Sequence, residues 1–247
     1  MNLLISDAPS PNFGPRAGGK KPEYLILHYT DTRTTFDALQ ILQNPERQVS
    51  SHYLVGDNGQ VMRLVPEEMR AWHAGKSWWS GETDINSTSI GIEIQNPGHG
   101  YGYVPFPPVQ MQAVAELCRD ILQRHRILPY HVLAHSDIAP ARKKDPGELF
   151  PWDYLATQHV GLWPKPTDRD EIEAEDILDN LDAIKSQLTH FGYDPSLDIT
   201  TLITSFQRHF EPEVFAQEEK VGVASLNTVK LIKAVVRQRL ALRPKIT

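Results

Sequence analysis

Apolar residues in the first two thirds of this chain come in short runs bounded by turn residues. Tyr24-Leu-Ile-Leu27, closed by His28, reads as a buried strand. Ser51–Val55 and Val61–Val65 read as a hairpin across the turn Gly56-Asp57-Asn58-Gly59, and Ser89–Gln95 as a further apolar strand. Pro107 and Pro108 then open a helix over Val109–Arg124, with Met111, Val114, Ala115, Leu117, Cys118, Ile121 and Leu122 at helical spacing. A short strand follows at His131–Ala134. Strands alternate only partly with helices, so the pattern predicts an α/β fold with a mixed central sheet flanked by helices.

The pattern changes after the linker Trp163–Asp170. Glu171–Phe191, Thr200–Phe210 and Ser225–Leu240 carry amphipathic helical spacing with no strand signal. Two domains are expected, residues 1–165 and a small three-helix domain over residues 171–247.

The formal charge of −6 argues against general nucleic-acid binding, which favours a basic footprint. No run reaches the roughly eighteen apolar residues of a membrane span. The first residues lack a cationic region and a long enough apolar stretch for a signal peptide. Cys118 is the single cysteine, which rules out an intrachain disulfide and a cysteine-rich metal site.

Candidate chemistry sits at strand ends. His28 ends one strand and His135 follows another, and Asp145 lies ten residues beyond His135 across the basic loop Arg142-Lys143-Lys144. Alone, each histidine reads more readily as structural than as a ligand, and Asp145 as a turn residue. Together, two histidines and a carboxylate can hold one zinc ion with a position left for water. Glu93 lies between two isoleucines, where alternation turns it away from their face; it is on a solvated strand face, in a salt bridge, or a general base. Lys143 shares a side of an extended loop with Asp145 and could stabilise an oxyanion, whereas Arg142 and Lys144 read equally as solvated charges. His52, Trp72, His73, Asn86 and Arg142 are candidate substrate contacts, with buried structural roles as the alternative for the histidines. Trp72, Trp78 and Trp79 either stack on sugar rings or plug a core, and His99, His125, His131, His159, His190 and His209 are expected at the surface or in structural roles.

Five blocks in order, Leu27–Thr30, Ser50–Val55, Ala71–Gly75, Thr88–Ile94 and His135–Gly147, resemble the zinc-dependent N-acetylmuramoyl-L-alanine amidases of the amidase-2 family over about residues 20–165. The resemblance implies the fold of the peptidoglycan recognition proteins. It implies His28, His135 and Asp145 as zinc ligands, one ion per chain, Glu93 as catalytic acid/base and Lys143 as the group polarising the amide. It implies peptidoglycan fragments or polymer as partner, and hydrolysis of the bond from the lactyl group of (1,6-anhydro-)N-acetylmuramic acid to L-alanine. The helical segment resembles a peptidoglycan-binding domain, or serves as a stabilising appendage. With no lipid-anchoring cysteine near the start, a cytoplasmic enzyme acting on recycled fragments is expected; a periplasmic one is the alternative if an export signal has been removed. A zinc-free binding module and a zinc peptidase of the stem peptide are the rival classes.

Overall fold

The computed structural model describes residues 3–242, so residues 1–2 and 243–247, the outer ends of the two expected domains, lie outside the described residues. The strands are β1 (Ile5–Asp7), β2 (Phe13–Pro15), β3 (Tyr24–Tyr29), β4 (Tyr53–Val55), β5 (Val61–Arg63), β6 (Met69–Ala71), β7 (Ser89–Ile94) and β8 (Val132–Ala134). The helices are α1 (Thr35–Gln43), α2 (Ile85–Thr88), α3 (Gly98–Tyr101), α4 (Pro108–His125), α5 (His135–Ile138), α6 (Trp152–Thr157), α7 (Asp168–Glu175), α8 (Leu181–Phe191), α9 (Ile199–Phe210) and α10 (Leu226–Leu242).

Six strands form a mixed sheet in the order β1-β5-β4-β7-β3-β8, and β2 pairs with β6 apart from it. β3 runs parallel to both β7 and β8, while β4 and β5 form the expected antiparallel hairpin. Strand alternation divides the sheet into two faces. Leu25, Leu27, Ile90, Ile92 and Ile94 pack on one face against the apolar stripe of α4. On the other face, Leu54 and Met62 pack with Ala38 and Leu42 of α1 over the β4–β5 side. Tyr24, Ile26 and Leu133 pack there with Trp79 and with Leu188, Phe191, Phe206 and Val235 of the C-terminal helices over the β3–β8 side. The helical segment therefore shares a hydrophobic core with the sheet.

The helix expected over Glu171–Phe191 is divided in two. Residues 176–180 leave the helix, and the Asn180 side chain restarts it by accepting a hydrogen bond from the Ala183 N–H. β1 and β2 fall outside the sequence expectation, each only three residues long. Among the described residues, no helix is long and apolar enough to cross a membrane.

Candidate active site

The register of the parallel strands sets the site. β3 pairs Leu25 with Ile90 and His28 with Glu93, and pairs Leu27 with Ala134. One residue past each aligned pair, His28 and His135 stand side by side at the carboxyl ends of β3 and β8, with Glu93 on the neighbouring strand. All three project from the face opposite the α4 core, in the gap between the α1 cluster and the C-terminal cluster. The ends of parallel strands are where open α/β sheets place their sites.

Three of these atoms converge. His28 Nδ1 lies 2.9 Å from His135 Nδ1. Asp145 Oδ2 lies 3.0 Å from the first nitrogen and 2.8 Å from the second. All three residues are buried, and together they form a group that could hold a metal ion. Burial and the neighbouring His135 lower the His28 pKa to about 4. Burial alone would raise Asp145, but His135 and His28 outweigh it and hold the carboxyl well below its usual range. A neutral His28 imidazole beside an ionised carboxylate matches the protonation states that metal ligands need.

The hydrogen bonds behind the cluster assign the tautomers. His135 Nε2–H donates to the Ala74 carbonyl at 3.1 Å, leaving Nδ1 bare. The Ser89 hydroxyl donates to the Ile85 carbonyl at 2.6 Å, so its oxygen accepts from His73 Nε2–H at 3.1 Å. His73 Nδ1 can then only accept, and it receives His28 Nε2–H at 3.0 Å. His28 Nδ1 is thus bare as well. The His73 ring lies over Gly91, where a Cβ would stand 2.5 Å from the ring Cγ.

Glu93 is only partly covered as a residue, yet its Oε2 has no accessible surface and no hydrogen-bond partner. Burial, followed by the Asp145 charge, raises its pKa well above the ordinary carboxylate value, while the Lys143 charge acts against the rise. Lys143 also acts on His28, so its charge is felt on both sides of the cluster.

His28, Glu93, His135, Lys143 and Asp145 all line one cleft of about 440 Å³. Trp72, His73 and Arg142 line it too. Arg142 Nη2 donates to the carbonyls of Ala74 and Lys76 at 2.8 Å each, which ties the basic loop to the opposite wall. His52 and Asn86 stand behind the lining. His52 Nδ1 accepts from the Gly91 N–H at 3.0 Å and its Nε2–H donates to the Met69 carbonyl at 3.1 Å. Asn86 Oδ1 accepts from the backbone N–H groups of His73 and Ala74. Trp79 is fully buried in the shared core, and Trp78 is half-buried.

The cleft also contains residues that the sequence does not advertise. His99, expected at the surface or in a structural role, lines it. His99 accepts from the Tyr29 hydroxyl at 2.9 Å and donates to Glu148 at 2.9 Å. Gly91 leaves one trace in the sequence, a glycine inside an apolar strand, which marks close approach of another group.

The sequence profile of the N-acetylmuramoyl-L-alanine amidases (Amidase_2) matches residues 18–148. The chain is 41% identical to the N-acetylmuramoyl-L-alanine amidase AmiD of Escherichia coli over 217 residues, covering 78% of this chain and 76% of that one. The solved complex of AmiD from E. coli with anhydro-N-acetylmuramic acid-L-Ala-D-gamma-Glu-L-Lys superposes with a TM-score of 0.76 at 37% identity, covering 90% of this chain and 91% of that chain. AMPDH3 from Pseudomonas aeruginosa superposes with a TM-score of 0.79 at 30% identity, covering 90% and 94%. From its profile match and these likenesses, the chain belongs to the N-acetylmuramoyl-L-alanine amidase family.

Proposed function

We propose that this chain is a zinc amidase. Its reaction is hydrolysis of the amide between the lactyl group of N-acetylmuramic acid, or its 1,6-anhydro form, and the L-alanine of a peptidoglycan stem peptide. The observation that carries this reading is the convergence of His28, His135 and Asp145 beside the unpartnered Glu93 Oε2 in one cleft. The substrate class is supported by the likeness to the E. coli protein solved with an anhydro-muramyl tripeptide. In this reading residues 1–165 carry the chemistry, and the helical residues 171–247 extend the scaffold.

His28, His135 and Asp145 would hold the zinc. Two nitrogens and one carboxylate oxygen are a donor set that leaves a position open. Both imidazoles present a bare Nδ1 and are held from behind through Nε2–H, the usual support for a ligating histidine.

When bound, zinc supplies Lewis acidity, bringing the pKa of a water towards neutrality and polarising a carbonyl oxygen. The Glu93 carboxylate takes a proton from the attacking water and returns it to the alanine nitrogen as the carbon–nitrogen bond breaks. Its raised pKa suits both halves of that exchange. The products are a free lactyl carboxyl and a free L-alanine amine. Lys143 faces the oxyanion that develops on the lactyl oxygen. Trp72 offers an aromatic wall to the sugar, and Arg142 keeps the Lys143 loop closed against residues 74–76.

Mass spectrometry of products tests the reading. Zinc-loaded protein is incubated with anhydro-muramyl tripeptide and, separately, with intact sacculi. Free stem peptide with an L-alanine N-terminus is the expected product. Cleavage inside the stem peptide would replace the amidase with a peptidase, and zinc binding without any product would leave a binding module. Release from the soluble fragment alone would favour a recycling role over wall degradation.

A further inference from the structure

His135 opens α5, a helix of four residues. One helical turn is a costly nucleus that does not hold itself together in isolation, so other groups must fix its geometry. Three of the constraints come from the C-terminal helical segment. The Asp137 carboxylate accepts hydrogen bonds from its own chain at Ala134 N–H (2.8 Å), from the Tyr193 hydroxyl (2.6 Å) and from His209 Nδ1–H (2.7 Å). The Ser136 carbonyl accepts from the Ser205 hydroxyl at 2.8 Å, while the Ser136 N–H donates to the Asp145 carbonyl at 2.9 Å. Asp137, Ser136, Tyr193, Ser205 and His209 are all at most 2% exposed. A chain of buried polar contacts therefore runs from α9 and the turn after α8, through Ser136 and Asp137, to the two proposed ligands His135 and Asp145.

We propose that Tyr193, His209 and Ser205 are positioning residues for the metal cluster, so that the C-terminal helices set zinc affinity without touching zinc or substrate. The proposal rests on His135 being a zinc ligand. It gives the helical segment a role in the chemistry distinct from holding peptidoglycan. Outer contacts of this kind change metal affinity by about 10–100-fold when lost.

The test uses the full chain and zinc itself, titrated against a chromophoric chelator. Tyr193→Phe removes one hydroxyl and keeps the ring; Ser205→Ala removes a second of the three donors. Each should weaken zinc binding by about tenfold and the pair by about a hundredfold, with most turnover returning at saturating zinc. Val235→Ala is the control. It opens a cavity in the same shared core on α10, so it should lower the melting temperature and leave zinc affinity unchanged. Wild-type affinity in both Tyr193→Phe and Ser205→Ala would overturn the proposal, as would equal zinc weakening in Val235→Ala. If the wild-type chain binds no zinc, or binds it unchanged after His135→Ala, the ligand assignment falls and this inference falls with it. Normal wild-type binding with unaffected variants overturns the inference alone.

Discussion

Gly91→Ala is a one-carbon test of how the site is supported. Gly91 lies in β7 with ordinary extended backbone, so alanine meets no conformational penalty there. Replacing a strand glycine should by itself gain roughly 0.5–1 kcal/mol by restricting the unfolded chain. The new Cβ, however, would stand 2.5–2.6 Å from Cγ, Cδ2 and Nδ1 of the His73 ring. Ordinary contact begins near 3.4 Å, so the ring must retreat by almost 1 Å. Overpacking on that scale costs about 1–3 kcal/mol, which at least offsets the gain and leaves a net loss of up to about 2.5 kcal/mol. The retreating atom is His73 Nδ1, which receives the His28 Nε2–H bond at 3.0 Å; about 1 Å more breaks it. Zinc affinity should then fall by about 10–100-fold. Chelator competition gives the affinity and thermal unfolding of metal-free protein gives the stability. His73→Ala supplies the second axis of a cycle: once the ring is gone, Gly91→Ala should cost no further zinc affinity. Wild-type zinc binding in Gly91→Ala, or the same loss in the His73→Ala background, would refute the reasoning.

Three further outcomes are expected. Glu93→Gln should keep zinc, measured by metal analysis, and lose turnover by ~10²–10⁴-fold, while His28→Ala should lose both; equal zinc loss in the two would merge their roles. Lys143→Met should lower kcat by ~10²–10³-fold at unchanged zinc content, and a change confined to KM would place Lys143 in binding only. Burial, followed by the Arg16 charge, lowers the His52 pKa to about 3. A folded pKa below the unfolded value of about 6.5 means that the stability is present above pH 6.5 and drains away as pH falls towards 3. Unfolding at pH 5 therefore takes up close to one proton at His52; His52→Gln should reduce the measured uptake by about one, and an unchanged uptake would show that His52 is charged in the fold.

The site was legible wherever chemistry restricts the residue type. His28, His135 and Asp145 stand out because few side chains bind metals, and Glu93 because a carboxylate between Ile92 and Ile94 demands a reason. The α4 stripe and the β4–β5 turn were legible because period and glycine placement act over short range. The supporting shell was not. Whether His73 touches substrate or His28 depends on a contact across the sheet face, and His99 reaches the cleft through Tyr29 and Glu148, residues far away in sequence. Trp79 shows the same limit: loop glycines on both sides leave open a sugar-stacking role, and only the approach of Phe191 and Tyr193 makes it a core residue. The helical periodicity after residue 171 located apolar faces, but not what they cover. They close on Tyr24, Ile26 and Leu133 of the sheet.

Pairing of His28 with Glu93 also determines which sequence changes the protein can tolerate. Side chains on a strand obey odd–even parity, and β7 spends one parity on Ile90, Ile92 and Ile94 and the other on Gly91 and Glu93. Deleting or inserting one residue within β7 would reverse the facing of the residues on one side of the change. An isoleucine would then face the cleft and the carboxylate would enter the apolar core beside α4. Point substitutions can wear the site down gradually, but a single indel in this strand disturbs both the core and the proposed acid–base group. A one-residue change of length is therefore expected to be better tolerated in the loops than within β7.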